Sequence, residues 1–223
     1  MFYENCLIGA SAFSIGFALT HEDTVILEPS ENVFSDFVNT INYCKVGKPV
    51  SDAGKKFYGF LKDDGYISKE GFLDTPSFAT GGADFVNRNN LNILLGAKLI
   101  CATENCVTVY TNSGIRKIEC ERIINLKENK SEKVYNCIVF AEDKEAVKRF
   151  PGKYIKSYAE NEYIFSLRFD EEATVNEARI KFENIFKNIY PENEVLLGYF
   201  ADSFDYEHKY PDLLSEFEAG VEL

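Results

Sequence analysis

The sequence predicts an α/β protein: a parallel sheet followed by a β-meander, and then a smaller α+β part. Three observations carry this. An apolar run from Phe2 enters the small-residue turn Gly9-Ala10-Ser11, a short helix pattern follows from about Ala12 to Leu19, and a second apolar run, Thr24 to Glu28, comes after it. Farther on, three strand patterns lie close together, the last two joined by Asn112-Ser113-Gly114, a hairpin signal. Beyond the charged stretch Lys127 to Lys133, short strand patterns alternate with one amphipathic helix.

Taken in order, the excursion 30–75 is rich in Gly, Asp, Lys and Ser, and is expected to hold helices near Phe34 to Tyr43 and Ala53 to Lys62. Pro76 suits a first helical turn because its missing amide has no intrahelical partner there, so a helix is expected from it to about Arg88, with Phe78, Gly82 and Phe85 on one face. The strand patterns are Asn92 to Ala102, Cys106 to Thr111 and Arg116 to Leu126. The first is expected to join the parallel sheet through Asn92 to Leu95, and the last through Arg122 to Leu126. In the second part the expectations are a strand at Val134 to Ala141, a short helix at Lys144 to Arg149, and one long or two short strands over Tyr154 to Phe169. A helix from about Glu172 to Tyr190 and a strand at Glu194 to Phe200 follow. In that helix Val175, Ala178, Phe182, Ile185, Phe186 and Ile189 share a face. The expected boundary puts 1–130 in the first part and 131–223 in the second.

At 223 residues and 45% hydrophobic composition the chain can bury roughly 70% of its unfolded surface. A net charge of -12 with a pI near 4.7 opposes a phosphate backbone, so nucleic acid is not an expected partner. The apolar stretch Cys6 to Leu19 is interrupted by Gly and Ser, which fits neither a signal peptide nor a membrane span, and a cytoplasmic location is the expectation. The six cysteines form no C-x-x-C and no metal-ligand spacing with His21 or His208, and are expected to be reduced and structural. Cys101 and Cys106 flank a short turn where they could face each other.

The turn carries the chemistry. Strand, glycine turn, helix and a second strand ending on an acid nineteen residues after Gly9 make a dinucleotide-binding fingerprint, in which helix amides face a pyrophosphate and the acid takes ribose hydroxyls. Ser11 and Ser14 stand where the pattern has its second and third glycines, and the Ser11 hydroxyl could donate to a phosphate oxygen. Other signals are weaker. Thr80-Gly81-Gly82 lacks the following Lys-Ser/Thr of a P-loop and reads as glycines easing helix packing. Asp202, Asp205 and His208 could gather round a metal, but a chain with 36 acids makes such clusters by chance, so no metal is expected. His21 sits beside Glu22 and Asp23 in a turn, a poor place for a hydrolase base.

The order of elements resembles the FAD-dependent oxidoreductases of the glutathione-reductase structural type. The resemblance is closest over Tyr3 to Pro29 and over Leu73 to Leu126, which includes DTPSFATGGADFVNRNNLNILLGAKL. It implies an FAD/NAD(P)-binding Rossmann-like sheet, with Gly9, Ala10, Ser11 and Ser14 beside the FAD pyrophosphate, Glu28 on the adenosine ribose and the backbone of Leu99 near adenine. The implied activity is that of an oxidoreductase holding FAD and acting on a small-molecule substrate, with catalytic residues and substrate not identified. The chain departs from the family where Ile123-Ile124 is followed by Asn125-Leu126 instead of an Ala-Thr-Gly turn, and no late Gly-Asp segment is found. Those departures keep two alternatives open: a non-enzymatic scaffold, acting through a protein partner or a second copy of the chain, and a binder of another adenosine-containing ligand.

Overall fold

The computed structural model describes residues 2–42, 45–126, 133–189, 197–205 and 210–223. It contains two sheets. The first has six strands in the order β3-β2-β1-β6-β5-β4, formed by β1 (Phe2–Ile8), β2 (Thr24–Glu28), β3 (Asn92–Leu95), β4 (Lys98–Ala102), β5 (Cys106–Thr111) and β6 (Gly114–Asn125). β3, β2, β1 and β6 run parallel, whereas β4, β5 and β6 form the antiparallel meander. β6 serves both: its first half pairs with β5 and its second half, Glu119 to Asn125, with β1. The meander therefore bends over one face of the parallel strands, where Val107, Val109 and Ile118 pack on Cys6, Ile8, Val25 and Leu27.

The other face is covered by α1 (Ala12–Thr20), α3 (Asp52–Asp63), α4 (Thr75–Arg88) and α7 (Leu213–Val221), with the four-residue α2 (Ser35–Val38) beside them. Leu7 and Ile26 meet a stack of rings there, Phe34, Phe57, Phe78, Phe85 and Phe217, with centroid separations such as 4.7 Å for Phe57 to Phe217. α1 and α7 approach backbone to backbone. A Cβ on Gly16 would lie 2.1 Å from the Phe217 carbonyl oxygen, and one on Gly220 would lie 2.0 Å from that of Phe13, so only glycine permits this crossing.

The second sheet, β10-β7-β9-β8, is antiparallel and comprises β7 (Lys133–Phe140), β8 (Lys153–Lys156), β9 (Glu162–Phe169) and β10 (Leu197–Phe200). α5 (Lys144–Lys148) and α6 (Val175–Ile189) accompany it, and Tyr135, Phe150, Phe165, Phe182 and Phe186 form its core. Among the described residues no helix is long and apolar enough to cross a membrane.

Four expectations are corrected. The run Asn92 to Ala102 is two strands, because Gly96 turns left-handed (φ +66°) and its amide bonds to the Ser30 carbonyl. The helix expected from Phe34 shrinks to α2, since Phe34 and Ile41 both have positive φ and the Phe34 amide is spent on the Ala10 carbonyl; Tyr43 lies outside the described residues. Gly81 and Gly82 do ease packing, but against the rings of Tyr66 and Phe34 rather than the sheet. Cys101 stands opposite Thr108 and not Cys106, and all five described cysteines are free; Cys44 lies outside the described residues.

Candidate functional site

The site begins where β1 stops. Ile8 is the last strand residue; Gly9 then adopts φ +109°, a conformation strained for any residue with a side chain, while its amide still reaches the Leu27 carbonyl at 2.9 Å. The chain turns at once into α1. Ser11 is its N-cap, in extended conformation, and its Oγ accepts from the Ser14 amide at 3.4 Å. Ser14 is fully buried, and its hydroxyl donates back to the Gly9 carbonyl at 2.5 Å. A serine thus stands in the third glycine position because its polar atom is consumed within the turn.

Glu28 ends β2 with its side chain 3% exposed. Its Oε2 accepts from the Ala10 amide and its Oε1 from the Ser30 amide, each at 2.7 Å, and the Ala97 amide closes on its own carbonyl at 2.8 Å. Two charge-assisted bonds hold the carboxylate against the turn. Each oxygen keeps a further lone-pair direction for a donor such as a ribose hydroxyl.

Gly9, Ala10, Ser11 and Glu28 line one cavity of about 730 Å³ at the carboxyl edge of the parallel strands, where ligands bind in open α/β sheets. Its other walls include Asp36 and Thr40, and from the second part Lys133, Thr174 and Phe204. Ser14 and Leu99 do not line it. Ser14 is behind the turn, and Leu99 is on β4, the outermost strand of the meander, 37% exposed. Lys133, the only cation in the cavity wall among the described residues, donates to the carbonyls of Glu171 and Ala173 and lies 5.0 Å from the Phe204 ring centroid.

Two acids that sequence reasoning missed complete the electrostatics. Asp36, on α2, lines the cavity and is hydrogen-bonded to Glu216 of α7; burial first, and then the charge of Glu216, push its carboxyl well above the usual carboxylate range. Asp36 Oδ1 is buried without a hydrogen-bond partner. Glu216, 6% exposed, also accepts from the Phe13 amide in the first turn of α1 at 3.5 Å. The sequence signal available for Glu216 was weak: an acid at helical spacing with Leu213, Phe217 and Gly220, after the capping residue Asp212.

The remaining sequence candidates are accounted for locally. Asp202 faces Arg179 and Asp205 faces Asn136, each at 3.4 Å, so the two acids do not converge; His208 lies outside the described residues. The His21 ring stacks on Phe17 and its Nδ1 is 3.0 Å from the Phe17 carbonyl, closing the end of α1.

No protein-family model matches the sequence, and no curated protein matches it. Solved structures do share its architecture. p-Nitrophenol 4-monooxygenase from Pseudomonas putida superposes with a TM-score of 0.52 at 12% identity, over 90% of this chain and 67% of that one. The chain has the fold of the FAD-dependent oxidoreductases. A flavoprotein/dehydrogenase from Cytophaga hutchinsonii matches over all of this chain and 76% of its own, with a TM-score of 0.52 at 10% identity. In this Rossmann-like fold, the Gly9 turn, the start of α1 and Glu28 fall at the carboxyl edge of the parallel strands.

Proposed function

We propose that the chain is a divergent flavoprotein of oxidoreductase type, whose cavity takes the adenosine end of FAD between the Gly9 turn and Glu28. The observation that carries this reading is the placement of Glu28: a buried carboxylate fixed by the Ala10 and Ser30 amides at the wall of a cavity that the glycine turn also lines. Gly9, Ala10 and Ser11 supply the turn, and the Ser11 hydroxyl, which accepts from Ser14, keeps its proton for a phosphate oxygen. Flavin, when bound, supplies transfer of a hydride or electrons to or from a small substrate. The residues fit the ribose end of the cofactor. At the pyrophosphate end, the Phe13 amide is already engaged by Glu216.

A second reading, favoured by that Glu216 contact, is a descendant that keeps the fold without flavin and acts as a scaffold. Visible absorbance of the freshly purified protein, with flavin-fluorescence quenching on added FAD, separates the two. Yellow protein, or quenching that saturates, is the expected result; colourless protein that leaves FAD fluorescence unchanged would remove the flavoprotein reading.

A further inference from the structure

α7 delivers two buried carboxylates to two helix starts. Glu218 Oε1 accepts from the Val50 and Ser51 amides, at 2.6 and 3.0 Å, ahead of α3. Glu216 Oε1 accepts from Phe13 at the start of α1. The first contact is remote from the cavity walls. The second lies behind the turn that would cradle a diphosphate, and Asp36 connects it to the cavity by bonding Glu216 while lining the wall. A helix start offers free amides and a partial positive charge, and an anion satisfies both. Glu216 does so from within the chain.

We propose that Glu216 is a built-in competitor for the diphosphate of the site's ligand: its carboxylate holds the first-turn amide of α1 that a phosphate oxygen would take. Three features support this. Glu216 is buried, so its charge is poorly screened by solvent. Asp36 and Glu28 both line the cavity, with an unpartnered buried oxygen on Asp36, so an arriving diphosphate meets carboxyl oxygens where it needs donors. α7 is docked on α1 through Gly16 and Gly220, which places Glu216 against the start of α1. Diphosphate entry then requires Glu216 to withdraw or to lose its charge, whereas a nucleoside without phosphate enters freely.

The proposal rests on the nucleotide-site reading, and the test separates the two. Wild type, Glu216→Gln and Glu218→Gln are titrated calorimetrically with ADP, inorganic pyrophosphate and adenosine, with circular dichroism confirming that each is folded. Glu216→Gln should bind ADP and pyrophosphate at least about tenfold more tightly than wild type, the loss of one charged competitor for a hydrogen bond. Adenosine affinity should not change, and Glu218→Gln should match wild type. Equal pyrophosphate affinity in wild type and Glu216→Gln, including no binding by either, overturns the proposal, as does an equal gain in Glu218→Gln. Adenosine that binds to none of the three counts against the nucleotide-site reading, and the pyrophosphate comparison still decides the role of Glu216. If Glu216→Gln does not fold, Glu216→Asp, whose carboxylate is one methylene shorter, is the variant compared, with the same gain expected and the same null result decisive.

Discussion

Glu28 has two tasks at one atom pair: it closes the turn by accepting from Ala10 and Ser30, and it presents its remaining lone pairs to the cavity. Removing it therefore disturbs the protein before any ligand is considered. Glu28→Ala leaves the Ala10 amide buried and unsatisfied, so a loss of about 1–3 kcal/mol is expected in urea unfolding of the ligand-free protein. Adenosine or FAD affinity should fall by a similar amount, about 1–3 kcal/mol, measured by titration at a temperature where the variant is folded. An unchanged affinity would place the ribose elsewhere. Gly9 and Glu28 were legible in the sequence because a strand, a turn and a second strand are a local pattern. Asp36 and Glu216 were not: the bond from Phe13 to Glu216 spans 203 positions, and neither acid stands in a recognisable spacing with the turn.

Among the elements, α7 is where sequence reasoning stopped short. Its buried face, Leu213, Leu214, Phe217 and Gly220, includes two acids, Glu216 and Glu218, which blur the apolar stripe that marks an amphipathic helix. The six parallel and meander strands were easier, since β1, β2, β5 and β6 are short apolar or alternating runs with turn residues between them; only Gly96 split a run that reads as one. The α1–α7 crossing makes a sharp prediction. Gly220→Ala gains up to about 1 kcal/mol of helix propensity. Its new methyl, however, would lie 2.0 Å from the Phe13 carbonyl oxygen and 2.9 Å from the Phe17 nitrogen, both backbone atoms that cannot rotate away. Overpacking of this kind costs roughly 1–3 kcal/mol and should win. The denaturation midpoint should drop, and a variant as stable as wild type would show that the two helices separate easily.

For the molecule as a whole, the Asp36 carboxyl links stability to pH. Glu216 from α7, Glu28 from β2 and Lys133 from β7 are the charged groups that share its surroundings. Because its folded pKa is raised, the folded state keeps a proton that the unfolded chain releases, and stability falls as pH rises from the ordinary carboxylate range through the raised value. Asp36→Asn should flatten that fall and make the protein more stable than wild type near neutral pH, as read from urea midpoints between about pH 4 and pH 8. A parallel decline in both proteins would mean that Asp36 does not control it.

The docking of α7 also orders events in time. Phe57 stacks on Phe217 in the core that also holds Phe13 and Phe17; Phe217 is reached some 160 positions after Phe57, and the loop between them must be closed before that contact can form. During synthesis the parallel strands can pair as soon as β6 has emerged, yet their helical face, already holding α1, α3 and α4, lacks α7 until the end of the described chain. A nascent chain of this protein thus carries an unsealed aromatic surface through the making of the entire second sheet, and that interval is when it is most exposed to aggregation and to chaperones.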